Sequence, residues 1–199
     1  MLPVSRNILI ACVVGFLLQH YVMPGLVDGL ALWPPHDYPV LPPFQPWQLV
    51  TYSLLHGDFL HLFFNMFALY MFGSAIEELM GPRRFLLYYV VCVISAAVMQ
   101  IVVNQMMGGL PRPTVGASGG VFGLLLAYGM AFPRRQLMLI FPPIPMPAWL
   151  FVTLYGLLEL YMGFSARGSN VAHFAHLGGM AGGLVLLLYW RSQRRGFRR

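Results

Sequence analysis

The sequence predicts an all-α membrane protein, a bundle of six transmembrane helices. Of its 199 residues, 58% are hydrophobic and only 9% are charged, whereas a soluble domain carries about a quarter charged residues. Pro, Gly and Arg residues also divide the chain into six apolar segments, and crossing the hydrocarbon core takes roughly 20 residues for each helix. We therefore expect one transmembrane domain that covers residues 1–199.

The six predicted helices are joined by short connections, except for an outer loop at 28–57. Their predicted ranges are 8–26, 59–79, 84–105, 116–132, 148–164 and 171–190. The first segment is about as long as a full span and lacks a small-x-small cleavage site, so it is interpreted as a retained helix rather than a signal peptide. The fourth and fifth segments are short, and prolines mark the turn between them: Pro142, Pro143, Pro145 and Pro147.

Arginine placement predicts the orientation, because basic residues near span ends favour the cytoplasm. All twelve basic residues are arginines. If the N-terminus is inside, ten of them fall on the cytoplasmic side: Arg6, Arg83, Arg84, Arg134, Arg135, Arg191, Arg194, Arg195, Arg198 and Arg199. Only Arg112 and Arg167 fall outside. We expect cytoplasmic termini, with a short basic tail at 191–199.

This topology places four polar side chains near one depth, just below the outer surface. His61 and Asn65 begin the second helix, Ser118 begins the fourth and His176 begins the sixth. A serine hydroxyl needs a base to become a nucleophile, and histidine is suited to that task near neutral pH. We predict a catalytic dyad of Ser118 and His176.

Small residues around both members of this dyad favour close packing of their helices. Gly116 and Gly119 flank Ser118, while Gly179 and Gly183 share the helix face of His176. The alternative interpretation of this pattern is a packing face without chemistry, since the same spacing satisfies G-x-x-x-G. A histidine satisfied by a backbone carbonyl at a helix end is the corresponding alternative for His176.

His61 and Asn65 lie four residues apart, so their side chains share one helix face. Both donate hydrogen bonds, and donors aimed at a tetrahedral oxyanion contribute about 3 to 4 kcal/mol each in acyl transfer. We assign them to an oxyanion hole together with the Ser118 backbone N–H. A hydrogen bond between helices is the alternative role.

The remaining ionisable groups predict no metal site, and none is placed as a third catalytic residue beside Ser118 and His176. The histidines lack a His-Glu-x-x-His arrangement and a carboxylate at ligand spacing. Glu77 and Glu78 are expected to pair with Arg83 and Arg84 at the inner interface. Glu159 lies within a predicted span and is left unexplained, although an acid in that position is functional by default.

These residues together resemble the rhomboid intramembrane serine proteases in their six-helix prokaryotic form. The resemblance runs from Trp47 to about Gly183. It rests on short motifs in the expected order and on the expected side of the membrane: Trp47, His56, His61-Leu-Phe-Phe-Asn65, Gly-Pro-Arg-Arg-Phe, Gly116-Ala-Ser118-Gly119 and Ala175-His176-x-x-Gly179-x-x-x-Gly183.

The resemblance implies the fold, activity and partners of the family. It implies Ser118 as nucleophile, His176 as general base and then acid, and His61 with Asn65 as oxyanion donors. It also implies a water-filled cavity open to the outside, a mobile fifth helix as lateral gate, and an outer loop partly in the outer leaflet. Substrates would be single-pass transmembrane proteins. The protein would lie in the lipid bilayer of the plasma (inner) membrane, and it would need no cofactor and bind no nucleic acid.

Three positions depart from the family pattern. Trp47 is followed by Gln48 where the family often has arginine, so an anchor in the outer loop is missing. The aromatic residue one turn after the serine is Phe122 rather than tyrosine, which keeps stacking on the histidine but loses a hydroxyl. The family's further glycine before the helix-six histidines is Val171 or Ala172 here, which predicts looser packing.

Two other functions remain open from the sequence. One is a catalytically inactive protein of the same fold that only binds transmembrane helices. The presence of Ser118, His176, His61 and Asn65 together argues against it, because a binder needs none of their chemistry. The other is a small channel or carrier, for which paired half-helices in repeated halves are not visible.

Overall fold

The computed structural model describes residues 1–108, 110–138, 143–165 and 172–196, with side chains to Gln193 in the last stretch. These residues are mostly helical. The helices are α1 (Pro3–Val22), α2 (Leu26–Leu30), α3 (Gln48–Thr51), α4 (Phe59–Met80), α5 (Pro82–Met107), α6 (Ser118–Ala131), α7 (Ala148–Ser165) and α8 (His173–Gly196). A short antiparallel hairpin, β1 (Gln136–Met138) and β2 (Pro145–Pro147), joins α6 to α7.

The predicted fold class, an all-α membrane protein, is confirmed. Helices α1, α4, α5 and α7 are long and apolar enough to cross a membrane. Helix α6 is apolar but has only 14 residues, and α8 occupies the position of the sixth predicted span. Pro142, Val171, Arg167, Arg198 and Arg199 lie outside the described residues.

Helix α1 begins five residues before its predicted start because a buried carboxylate caps it. Glu77, at the end of α4, accepts hydrogen bonds from the backbone N–H groups of Val4 and Ser5 at 2.9 and 2.8 Å and from the Ser5 hydroxyl. A carboxylate at a helix N-terminus satisfies free N–H groups and complements the helix dipole. Within residues 1–108, neither Glu77 nor Glu78 forms the expected ion pair with Arg83 or Arg84.

Gln48 organises the outer loop at the position where the arginine was expected. Its side chain is fully buried. The Oε1 atom accepts from the backbone N–H groups of Trp33 and Gln45, both at 3.2 Å, and Nε2 donates to the carbonyls of Gly29 and Pro43, both at 3.4 Å. The neutral amide therefore satisfies both N–H and carbonyl groups of the loop backbone.

The outer loop also holds the segment that leads into α6. Leu32 and Thr114 exchange backbone hydrogen bonds of 3.0 and 2.9 Å, and the Gly116 N–H donates to the Tyr52 carbonyl at 3.0 Å. The Tyr52 hydroxyl in turn donates to the carbonyl of Val93 on α5 at 2.8 Å. The start of α6 is thus fixed between the outer loop and the core of the bundle.

Helices α5, α6 and α8 approach one another closely through small residues. A methyl group at Gly119 would collide with Ala96 of α5, and one at Gly179 would collide with the Gly119 backbone. Gly123 of α6 similarly leaves room for Cys92. Backbones can come this close in a membrane only where side chains are small.

Replacing Gly179 with alanine is expected to destabilise the protein, because the added methyl group has no space against α6. Overpacking of this kind costs about 1 to 3 kcal/mol. Gly156→Ala in α7 is the matched control, since its nearest neighbour would be the flexible Met180 side chain at 3.4 Å. Equal free energies of unfolding for the two variants in mixed micelles would contradict the packing described.

Candidate active site

Ser118 is the first residue of α6 and lies two residues after a glycine whose conformation few other residues adopt. Gly116 has φ 128°. A side chain there would also lie 2.7 Å from Nε2 of His61 and 3.6 Å from Oγ of Ser118. Gly116 therefore lets the His61 ring and the Ser118 hydroxyl lie close together. The backbone N–H groups of the first turn of α6 have no carbonyl partner within the helix.

The hydroxyl of Ser118 and the imidazole of His176 are in direct contact. Oγ lies 2.8 Å from Nε2, a hydrogen-bond distance between residues 58 positions apart. Phe122, one turn after the serine, stacks on the His176 ring with centroids 4.2 Å apart and an interplanar angle of 6°. The stacking holds the ring in the orientation that faces Ser118.

The other ring nitrogen of His176 contacts the carboxylate of Glu159 on α7. Nδ1 lies 2.8 Å from Oε2. Nδ1 of His173 lies 2.8 Å from the same oxygen. All three side chains are buried, so the acid that the sequence left unexplained lies against the predicted base.

These three side chains are also the group of potential metal ligands within the described residues, with donor atoms within 4.8 Å of one another. Two ligands of a tetrahedral zinc, each about 2 Å from the ion, lie about 3.3 Å apart. The two separations of 2.8 Å from Oε2 are hydrogen-bond lengths instead. The geometry fits imidazole N–H groups that donate to a carboxylate.

His61 presents one ring nitrogen toward the serine. Asp58 caps α4 by accepting from the His61 backbone N–H at 2.8 Å, which fixes the start of the helix. The Gly57 N–H donates to Nδ1 of His61 at 3.4 Å. With Nδ1 as acceptor, Nε2 carries the ring proton and can donate beside Gly116.

Asn65 lies one turn further along α4 and borders the same cavity. Its Nδ2 donates to the carbonyl of His61 at 2.8 Å, so one of its two amide protons is used within the helix. Oδ1 is buried without a hydrogen-bond partner among the described residues. Asn65 thus has one remaining amide proton to donate.

His56 contacts the backbone of the residue that precedes Ser118. Its Nε2 accepts from the Ala117 N–H at 3.5 Å. The backbone of His56 is held by Gln19 of α1, whose amide donates to the His56 carbonyl at 2.5 Å and accepts from its N–H at 3.2 Å. Burial, and secondarily the nearby His61, lowers the pKa of His56 to about 3. The ring is therefore neutral and serves as an acceptor.

The other predicted supporting residues divide into two groups. Gly119, next to Ser118, and Gly179, three residues after His176, meet at the contact between α6 and α8. Trp47 lies in the outer loop, half exposed, with its indole N–H donating to the Gly29 carbonyl at 3.0 Å. Trp47 is therefore a structural residue of the outer loop.

A cavity of 2290 Å³ contains the site. Ser118, His176, His61 and Asn65 all border it. Its remaining walls include outer-loop residues and apolar side chains of α4 and α7: Phe64, Phe67, Met71, Phe151 and Tyr155. The cavity thus extends from the polar groups to the gap between α4 and α7.

Residues 43–193 match the family model of the rhomboid domain, which is more than half of the chain. The chain is 32% identical over 139 residues to the rhomboid protease GluP of Bacillus subtilis, covering 69% of this chain and 24% of GluP. It is 32% identical over 152 residues to YdcA of the same organism, covering 75% of this chain and 70% of YdcA. It is 27% identical over 185 residues to the rhomboid protease GlpG of Klebsiella pneumoniae, covering 92% of this chain and 62% of GlpG.

The pKa of His56 predicts that folding stability falls in acid. Below a pH of about 6.5 the unfolded chain binds a proton at this residue, whereas the folded protein does so only near pH 3. The stabilisation is thus complete above about pH 6.5 and decreases as the pH falls, by about 2 kcal/mol at pH 5. The free energy of unfolding in mixed micelles at pH 7 and pH 5 measures this loss.

His56→Gln should flatten that pH dependence, because glutamine does not titrate. His20→Gln, at an exposed position on α1, controls for the removal of one histidine. A pH dependence that is unchanged in His56→Gln would show that another group is responsible.

Proposed function

We propose that the chain, which belongs to the rhomboid family, is an intramembrane serine endopeptidase. It hydrolyses peptide bonds in or near the transmembrane segments of single-pass membrane proteins. The observation that carries this proposal is the 2.8 Å contact between Ser118 Oγ and His176 Nε2, made between two separate helices. A helix-packing role for these residues would not require the hydroxyl to face the ring nitrogen.

The reaction begins when Nε2 of His176 takes the proton of the Ser118 hydroxyl as Oγ attacks the scissile carbonyl carbon. The tetrahedral intermediate carries a negative oxygen. His176, now protonated, donates to the leaving amine, and the carbon–nitrogen bond breaks to give an acyl-enzyme. Water then attacks the acyl group, with His176 as base, and proton return regenerates Ser118.

The negative oxygen of the intermediate is stabilised by hydrogen-bond donors. Nε2–H of His61 is the strongest candidate, because Gly116 leaves it open toward Ser118. The remaining amide proton of Asn65 and the backbone N–H of Ser118 complete the oxyanion hole. Donors fixed in a helix start need no reorganisation when the charge develops.

The substrate helix enters between α4 and α7. Aromatic and Met side chains of these two helices line the cavity there, including Phe67 and Tyr155, and they offer an apolar surface to a transmembrane segment. Water reaches the acyl-enzyme from the outer-loop side of the cavity. The excess of arginines on one side supports a plasma (inner) membrane protein with cytoplasmic termini and an active site that opens to the outer face.

Cleavage of a single-pass transmembrane protein by the purified enzyme in liposomes should require both members of the pair. Ser118→Ala and His176→Ala are expected to lower the rate by at least about 10³-fold, because each removes the activated nucleophile. Ser192→Ala, at an exposed hydroxyl of α8, is the matched control and should cleave at the wild-type rate. Binding of the substrate without cleavage by folded wild-type protein would instead support a helix-binding function.

His61→Ala should lower kcat by about 10²-fold with little change in KM, since the lost donor acts on the developing oxyanion. Asn65→Ala should lower kcat less, because one Asn65 amide proton already binds the His61 carbonyl. His20→Ala, which removes an exposed imidazole, controls for histidine loss. An effect of His61→Ala confined to KM would remove His61 from the oxyanion hole.

A further inference from the structure

Glu159 is the buried acid of an otherwise apolar helix. The buried residues of α7 are Ala148, Val152 and Glu159. Neighbours such as Leu157, Leu158 and Tyr161 are exposed on the bundle surface, where lipid would cover them. An ionisable side chain at this depth is costly and needs a specific partner. Its partners are His173 and His176 on α8.

We propose that Glu159 is a positioning residue that fixes the tautomer and orientation of His176, so that the site works as a Ser118–His176–Glu159 triad. This inference rests on the proposed function and deepens it. A carboxylate oxygen can only accept hydrogen bonds. The 2.8 Å contact of Oε2 with Nδ1 of His176 therefore places the ring proton on Nδ1.

That tautomer has a direct consequence for the serine. With the proton on Nδ1, the lone pair of Nε2 faces the Ser118 hydroxyl, which lies 2.8 Å away. The opposite tautomer would present an N–H to the hydroxyl and could not accept its proton. Stacking on Phe122 restrains the plane of the ring, but either tautomer can stack. The Glu159 carboxylate is therefore the group that selects the Nδ1–H tautomer of His176.

His173 holds the carboxylate in place for this task. Its Nδ1 donates to the same Oε2 at 2.8 Å, and its ring is nearly perpendicular to that of His176, at 87°. Two donors that converge on one oxygen from different directions restrict the Glu159 rotamer more than one donor does. His173 thus has a positioning role one turn before the base.

The alternative is that Glu159 only ties α7 to α8. A tether would affect folding or substrate entry, but it would not need to select a proton position on His176. The position of the ring proton is therefore the property to measure. It is accessible whether or not the protein cleaves a substrate, so the test separates this inference from the proposed function.

Nitrogen-15 NMR of histidine-labelled protein in detergent, at a mildly alkaline pH above the ordinary pKa of imidazole, reports the tautomer. His176→Ala assigns the His176 signals. We expect wild type to carry the proton on Nδ1 of His176 and Glu159→Leu to shift population to the Nε2–H form. Glu78→Gln, which changes an exposed carboxylate of α4, should resemble wild type. An Nε2–H tautomer in wild type, or no change in Glu159→Leu, would overturn the proposal.

Kinetics provide the second readout. Glu159→Leu should lower kcat about 10- to 100-fold with KM nearly unchanged, and Glu159→Gln, which keeps one acceptor oxygen, should lose less. A tether would instead change KM or thermal stability. If wild type shows the Nδ1–H tautomer but cleaves nothing, the proposed function fails and the Glu159 contact stands. If wild type cleaves and Glu159→Leu leaves kcat unchanged, Glu159 does not position the base.

Discussion

The close approach of α6 and α8 at Gly119 and Gly179 is the constraint on which the site depends. Ser118 is the first residue of α6 and His176 lies in the first turn of α8, and a hydrogen bond of 2.8 Å between them requires backbones that nearly touch. A methyl group at Gly179 would collide with the backbone of α6 at Gly119, and one at Gly119 would collide with Ala96 of α5. In lipid, where apolar surfaces gain little by meeting one another, such packing depends on small residues and van der Waals contact. The glycines of this packing motif are therefore the condition for the contact between Ser118 and His176.

A second constraint fixes the serine along its own helix. The segment before α6 is hydrogen-bonded to the outer loop: the N–H groups of Thr114, Gly116 and Ala117 donate to the loop, and the Thr114 carbonyl accepts from it. The loop itself is held by the buried amide of Gln48 and by Gln19 on α1. A long connection without such bonds would carry unsatisfied backbone groups near the apolar core. The hydrogen bonds of the outer loop thus fix the position of Ser118 relative to α1 and α5.

Much of this arrangement was predictable from the sequence, and the rest depended on packing. Apolar segments between Pro, Gly and Arg residues predicted the helices, and arginine bias placed His61, Ser118 and His176 at one end. The start of α1 was missed because the Glu77 cap comes from a residue more than 70 positions away. Glu159 was noticed as an acid in a span, but its partners could not be identified, because the facing side of α7 depends on the rotation of that helix. Gln48 was interpreted as the loss of an arginine anchor. An amide both donates and accepts hydrogen bonds, whereas an arginine only donates, so Gln48 satisfies backbone N–H groups that an arginine could not.

We propose that Ser118 is a nucleophile that His176 activates across the contact between α6 and α8. Reaction of the purified, detergent-solubilised protein with a fluorophosphonate, followed by peptide mapping, tests it most directly. A single adduct on Ser118, lost in His176→Ala and strongly reduced in Gly179→Ala while Gly156→Ala still reacts, is the result that follows from the geometry. A correctly folded wild-type protein that forms no adduct, or an adduct on Ser118 that survives in His176→Ala, would contradict it.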